Sequence, residues 1–215
     1  DGFSREADRR AFVPNALFFQ QKDGNKEGLL HILKRYNFTI EENSPIDVEI
    51  ALDPELLGKG FEYFVIDCGW FKRDGVRWDE SMGDYEVSET LFPEGLEKTV
   101  DLIHEAGMKA GIWFEPECAG EKSKVYKENM HFLRRDGQTL TTARRRFFDL
   151  TDPWTEDYLS DRVIGTLKKY GFDYVKIDYN DEIGFGADGC ESQGEMLRRN
   201  MQASYRFFEK MREEI

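Results

Sequence analysis

Cysteine is scarce in this chain: Cys68, Cys118 and Cys190 are all that 215 residues contain. An odd count, wide spacing and no Cys-x-x-Cys pair argue against a disulfide framework and against a zinc site. Reduced thiols in a cytoplasm fit that pattern, so a cytoplasmic location is expected. Basic charge is also short, because 30 Lys and Arg face 43 Asp and Glu and leave a net charge of −13. A nucleic-acid backbone or an anionic membrane surface needs the opposite sign, so neither is an expected partner. No apolar run reaches the length of a membrane-crossing helix. No Gly-x-Gly-x-x-Gly turn is present, which removes the usual dinucleotide-binding signature. The first residue is Asp1, with no charged-then-apolar leader after it, so the chain reads as a fragment or a processed form.

What is present is a chain long enough for one domain with a real core. It is rich in rings: Phe 17, Tyr 9 and Trp 4 favour a lined pocket or a thick core. Residues 1–45 carry a strand-like "VPNALFFQ" and a short amphipathic stretch at 26–36, then break at Asn43-Ser44-Pro45. They read as an N-terminal segment that no pattern attaches to the rest. From residue 46 to 215 strand-like and helix-like runs alternate. Strands are predicted at 61–67, 109–117, 145–152 and 172–178. Helices are predicted at 92–107, 123–137, 152–171 and 194–215. Asp152 suits an N-cap, Pro153 a first helical position, and Gly107 and Gly171 helix stops. Alternation of this kind means a parallel sheet. Polar residues recur at strand C-termini, where barrel enzymes keep their chemistry. The expected fold is therefore α/β of the (β/α)8 TIM-barrel type, with the chain covering about the first half of the barrel.

Side chains alternate along a strand. That groups Tyr63, Val65 and Asp67; Gly111, Trp113 and Glu115; Arg145, Phe147 and Asp149; and Tyr174, Lys176 and Asp178. Each set ends in an acid, and two add a cation. Any one acid could merely cap the next helix, and for Asp149 and Asp152 that reading is preferred. Four together are costly to confine at a barrel mouth unless they serve a purpose. Two chemistries fit. One is a Mg²⁺-dependent lyase or isomerase with Asp67, Glu115 and Asp149 as ligands and Lys176 as base. The other is a glycosidase with Asp178 as nucleophile, Lys176 and Arg145 on hydroxyls, and tryptophans over sugar faces. Trp70 and Trp113 favour the second. Cys118 and Phe207-Phe208 read as packing residues, Glu117 as a cap, and His31, His104 and His131 as surface or satisfied helix residues.

The stretches "FEYFVIDCGWFKRDG", "MGDYEVSETLFPEGLEKTVDLIHEAGMKAGIWFEPE" and "DYVKIDYN" resemble the catalytic barrel of glycoside hydrolase family 36, the α-galactosidases, over roughly 58–215. The resemblance implies a retaining α-glycosidase acting on terminal α-linked galactose or a related sugar. Its substrate would be an oligosaccharide or α-glycoside, it would need no cofactor, and a homo-oligomer would fit the family. Asp178 would be the nucleophile. Asp67, Cys68, Trp70, Trp113, Glu115, Arg145, Lys176 and Asn180 would bind substrate. Three departures stand out. The family's two adjacent acids are Asp67-Cys68 here, which puts galactose itself in question. Its Gly-Asp-Trp is Gly83-Asp84-Tyr85, altering an aromatic near the pocket rim. Its acid/base lies on a later strand, beyond residue 215, so the 215-residue piece alone is expected to be nearly inactive. A sugar-binding relic without catalysis is the third reading.

Overall fold

The computed structural model describes residues 62–178 and 186–215. The readings made at 1–45, and Asn180, lie outside the described residues. Two compact units emerge, and they are mixed α/β. Of the described residues, the first takes those up to Trp70, then Val87–Trp113 and Tyr170–Lys176; the second takes Phe71–Glu86, Phe114–Lys169 and those from Ile177 on.

The first unit is organised by a three-stranded sheet in the order β1 (Tyr63–Ile66), β2 (Lys109–Phe114), β8 (Tyr174–Ile177), whose last residues run on into the second unit. β1 and β2 are parallel, from Tyr63↔Lys109 to Ile66↔Ile112. Phe64 and Ile66 are buried, while Tyr63 and Val65 on the other face are not. Tyr63 meets Tyr174 edge to face, 5.7 Å between centroids. Gly111 on the middle strand permits this, since a Cβ there would lie 2.9 Å from the Tyr174 ring and 3.0 Å from Val65. α2 (Leu96–Glu105) joins β1 to β2 in sequence and buries Leu96, Thr99, Val100 and Ile103, one helical stripe. Asp173 clamps the start of β2: its carboxylate accepts from Ala110 N–H at 2.9 Å, and its own N–H donates to the Ala110 carbonyl at 2.8 Å. His104 Nε2 lies 2.8 Å from the same carboxylate.

The second unit differs from the sequence expectation in two places. The predicted third strand, 145–152, shrinks to β7 (Arg145–Phe147), which pairs antiparallel with β3 (Cys118–Gly120) and with β6 (Thr141–Thr142). It belongs to a separate sheet because only Ala143 and Arg144 connect β6 to β7, and two residues make a hairpin, never a parallel crossover. The helix predicted from 123 stops as α3 (Lys124–Glu128), where Asn129 turns left-handed at φ 53. A hairpin follows, β4 (Arg134–Arg135) and β5 (Gln138–Thr139), turning on Asp136-Gly137. α1 (Trp78–Ser81) packs its backbone so close to Gly120 that a Cβ there would stand 2.3 Å from the Asp79 carbonyl oxygen. The predicted helix at 152–171 forms as α4 (Pro153–Leu159), a π-helical turn (Ser160–Ile164) and α5 (Gly165–Tyr170). Asp152 caps it through Trp154 N–H at 3.0 Å, and Gly171 ends it at φ 69. α6 (Gln193–Glu214) buries Met196, Asn200, Ala203, Ser204, Phe207 and Met211 along one face. Among the described residues no helix is long and apolar enough to cross a membrane.

Candidate active site

In the first unit Asp67 follows β1 directly, and Lys176 stands within β8. Lys176 Nζ lies 3.0 Å from Asp67 Oδ2 and 3.2 Å from Oδ1. The Cys68 N–H donates to Asp67 Oδ1 at 2.8 Å. The carboxylate is thus aimed by a neighbour on the chain and by a cation from another strand, as strand parity predicts. The Lys176 and Asp67 side chains keep 35% and 19% exposure. A pair this open contributes only about 0–1 kcal/mol to stability, so folding alone does not explain it. Cys68 is half-buried beside it.

Trp70 and Trp113 correct an expectation. Both are fully buried. The Trp70 indole N–H donates to the Trp113 carbonyl at 2.8 Å, and the Trp70 carbonyl accepts from Ser88 N–H at 2.9 Å. A buried indole needs a partner for its N–H, and here a backbone carbonyl supplies it. The rings pack the unit instead of presenting faces to a sugar.

The second unit holds Glu115, Arg145 and Asp178. Glu115 is 2% exposed. Arg145 Nε stands 3.4 Å from Glu115 Oε1 and Nη2 3.5 Å from Oε2. The Cys118 thiol donates to Oε1 at 3.3 Å, and the Tyr85 hydroxyl donates to the Glu115 carbonyl at 2.6 Å. Burial, then the Glu115 charge, push the Cys118 thiol well above its usual pKa, so it stays a neutral donor and a poor nucleophile. Burial, with Cys118 and Glu115 beside it, does the same to Tyr85. Asp178 comes one residue after β8. Its N–H donates to the Phe114 carbonyl at 2.9 Å, and its side chain is exposed.

Tyr85 was expected near a pocket rim, yet it is buried at 3% with left-handed backbone, φ 49. Its neighbour Asp84 is structural too: its carboxylate accepts from Lys124 N–H at 2.7 Å and Val125 N–H at 3.1 Å, capping α3. Glu117 is tied to α6 through Ser204, and His131 Nδ1 lies 2.6 Å from Asp152. Asp149, the third acid of the magnesium reading, accepts from the Thr151 N–H and hydroxyl as a turn cap. Among the described residues no group of three or more His, Cys, Asp or Glu could hold a metal ion. The Tyr85–Glu115–Cys118 cluster was missed in the sequence; only the closeness of Cys118 to Glu115 hints at it.

The family model described as Melibiase matches residues 47–215. The chain belongs to the melibiase family. Within that family it is 35% identical over 159 residues to alpha-galactosidase 1 of Pediococcus pentosaceus, covering 71% of this chain and 21% of that protein. It is 33% identical to alpha-galactosidase Mel36A of Lactobacillus acidophilus over the same shares. The chain therefore spans about a fifth of the length of the curated melibiase relatives it matches. Among solved structures it is similar to the alpha-galactosidase AgaB of Geobacillus stearothermophilus. That match has 31% identity and a TM-score of 0.65, over 82% of this chain and 24% of that one. It is also similar to a variant of AgaA from the same organism in complex with 1-deoxygalactonojirimycin. There the identity is 27% and the TM-score 0.65, over 78% of this chain and 24% of the other.

Proposed function

We propose that this chain is the nucleophile-bearing part of a retaining α-galactosidase-type glycoside hydrolase, with residues 46–215 belonging to the first half of a (β/α)8 barrel. One observation carries the reading. The Asp67–Lys176 pair joins the ends of two strands, remains reachable by solvent, and is of little use to stability. Asp178, exposed and two residues beyond Lys176 in sequence, attacks the anomeric carbon as the glycosidic bond breaks, the departing oxygen taking a proton from an acid/base group, and the glycosyl-enzyme results. Lys176, Asp67 and Asn180 meet sugar hydroxyls, and Arg145 meets another. Cys68 stands where the family has a second acid, so the sugar is galactose or a close relative with altered hydroxyl contacts. The relatives support the substrate class, since AgaA variants have been solved with stachyose and with raffinose.

A retaining reaction also needs an acid/base carboxyl about 5–5.5 Å from the nucleophile, worth a factor of about 10²–10⁴. No residue of this chain is assigned that role. A cytoplasmic setting belongs to the same reading, on the small, odd number and wide spacing of Cys68, Cys118 and Cys190. The test is hydrolysis of p-nitrophenyl α-D-galactopyranoside by the full-length protein and its Asp178→Asn variant. The expected loss is about a thousandfold or more in kcat. A variant that retains activity, or a wild-type protein that hydrolyses no α-galactoside, overturns the reading.

A further inference from the structure

Resting on the function proposed above, we infer that Glu115 is a positioning residue: it orients Arg145 toward substrate and does not touch the sugar itself. Three observations converge on it, all within the second unit. First, the Glu115 carboxylate is 2% exposed and faces Arg145 and the Cys118 thiol, so no sugar hydroxyl reaches it. Second, Glu115 is itself held. The buried Tyr85 adopts a left-handed backbone, uncommon for a bulky residue, and its hydroxyl donates to the Glu115 carbonyl at 2.6 Å. Third, Arg145 is delivered by a hairpin whose two turn residues, Ala143 (φ 46) and Arg144 (φ 65), are both left-handed.

Turns of that shape favour Asn-Gly or Asp-Gly, and Ala-Arg lacks their conformational ease. Arg144 anchors the turn through Glu80 at 2.7 Å, leaving Arg145 to face Glu115 on one side and the Trp78 ring, 6.0 Å away, on another. Strain of this sort persists where surrounding structure over-determines a functional geometry. The Glu115 contacts of 3.4 and 3.5 Å are longer than the ~2.8 Å of a tight charge-assisted bond, which suits orientation more than stability.

The experiment uses the full-length protein with Glu115→Gln, Arg145→Lys and the double variant, assayed on p-nitrophenyl α-D-galactopyranoside. Glu115→Gln is expected to raise KM about tenfold with kcat within about threefold, the signature of lost substrate binding. Arg145→Lys should do the same, and the double variant should be no worse than the worse single, because both act through one contact. An unchanged KM in Glu115→Gln, or effects that multiply in the double variant, overturns the inference. A crystal structure of full-length Glu115→Gln decides the point without any activity. A guanidinium swung away from residue 115 supports positioning, and one left in place contradicts it. Should the wild-type protein hydrolyse no α-galactoside, the functional reading fails, while the crystal structure still shows whether Glu115 holds Arg145.

Discussion

Asp67 with Lys176 and Glu115 with Arg145 are the same kind of contact in two settings. The first pair, in the sheet-based unit, is close, at 3.0 Å, and open, with side chains 19% and 35% exposed. The second, in the hairpin-based unit, is longer, at 3.4 Å, and closed, at 3% and 13%. Water screens the open pair, so it adds little to folding but is available to a ligand. The closed pair cannot be rearranged by a ligand, and removing one member strands a charge in the interior. The same kind of contact therefore separates into an open pair whose two members both face substrate and a closed pair in which a buried acid holds the cation that does.

The largest effect that can break this comparison is on stability. Glu115→Ala is expected to lower the unfolding free energy by about 3–5 kcal/mol, and Asp67→Ala by about 0–1 kcal/mol. Urea unfolding of both variants checks it, and equal losses would erase the distinction. Next comes packing in the second unit. Gly120→Ala drives a Cβ into the Asp79 carbonyl at 2.3 Å and is expected to cost about 1–3 kcal/mol in the same measurement.

A smaller effect separates two cysteines. Half-buried Cys68, beside the open pair, should be labelled by iodoacetamide in the native protein. Fully buried Cys118, beside the closed one, should label only on unfolding, at pH 7 and at pH 9 alike, because its thiol pKa is raised. Peptide mapping by mass spectrometry reads both.

The smallest effect concerns Asp173. Burial pushes its carboxyl up, but His104, the Ala110 N–H and Lys109 outweigh that and hold it below the usual aspartate value. A depressed pKa means stability that is present above the unfolded value and lost as pH falls through the folded one. The side chain is 38% exposed, so the effect is modest. The gap in Tm between wild type and Asp173→Asn should be full at pH 6 and close as the solution is acidified below the ordinary aspartate range.

Much of the first unit was legible in the sequence. Period-two alternation put Tyr63, Val65 and Asp67 together on one strand and Tyr174 and Lys176 together on another, all toward the same face of the sheet, and the Tyr63–Tyr174 and Asp67–Lys176 contacts follow from it. Asp152-Pro153 and Gly171 marked a helix correctly because caps are local chemistry. The second unit was harder. Residues 145–147 have strand composition, but composition does not distinguish a parallel strand from an antiparallel one. The distinction lay in an Ala143-Arg144 turn that carries none of the usual hairpin residues. Aromatic content suggested rings at a pocket, yet nothing local shows whether an indole faces solvent or core, and Trp70 and Trp113 face the core. Tyr85 was invisible for a similar reason, since its left-handed backbone follows from contacts far along the chain.

Asp178 is the residue on which a retaining reaction in this protein depends. Full-length protein treated with a mechanism-based α-galactosyl fluoride whose glycosyl-enzyme turns over slowly should carry a covalent adduct, and peptide mapping should place the sugar on Asp178. An adduct on any other carboxylate, or tight binding of the probe with no adduct at all, would contradict it.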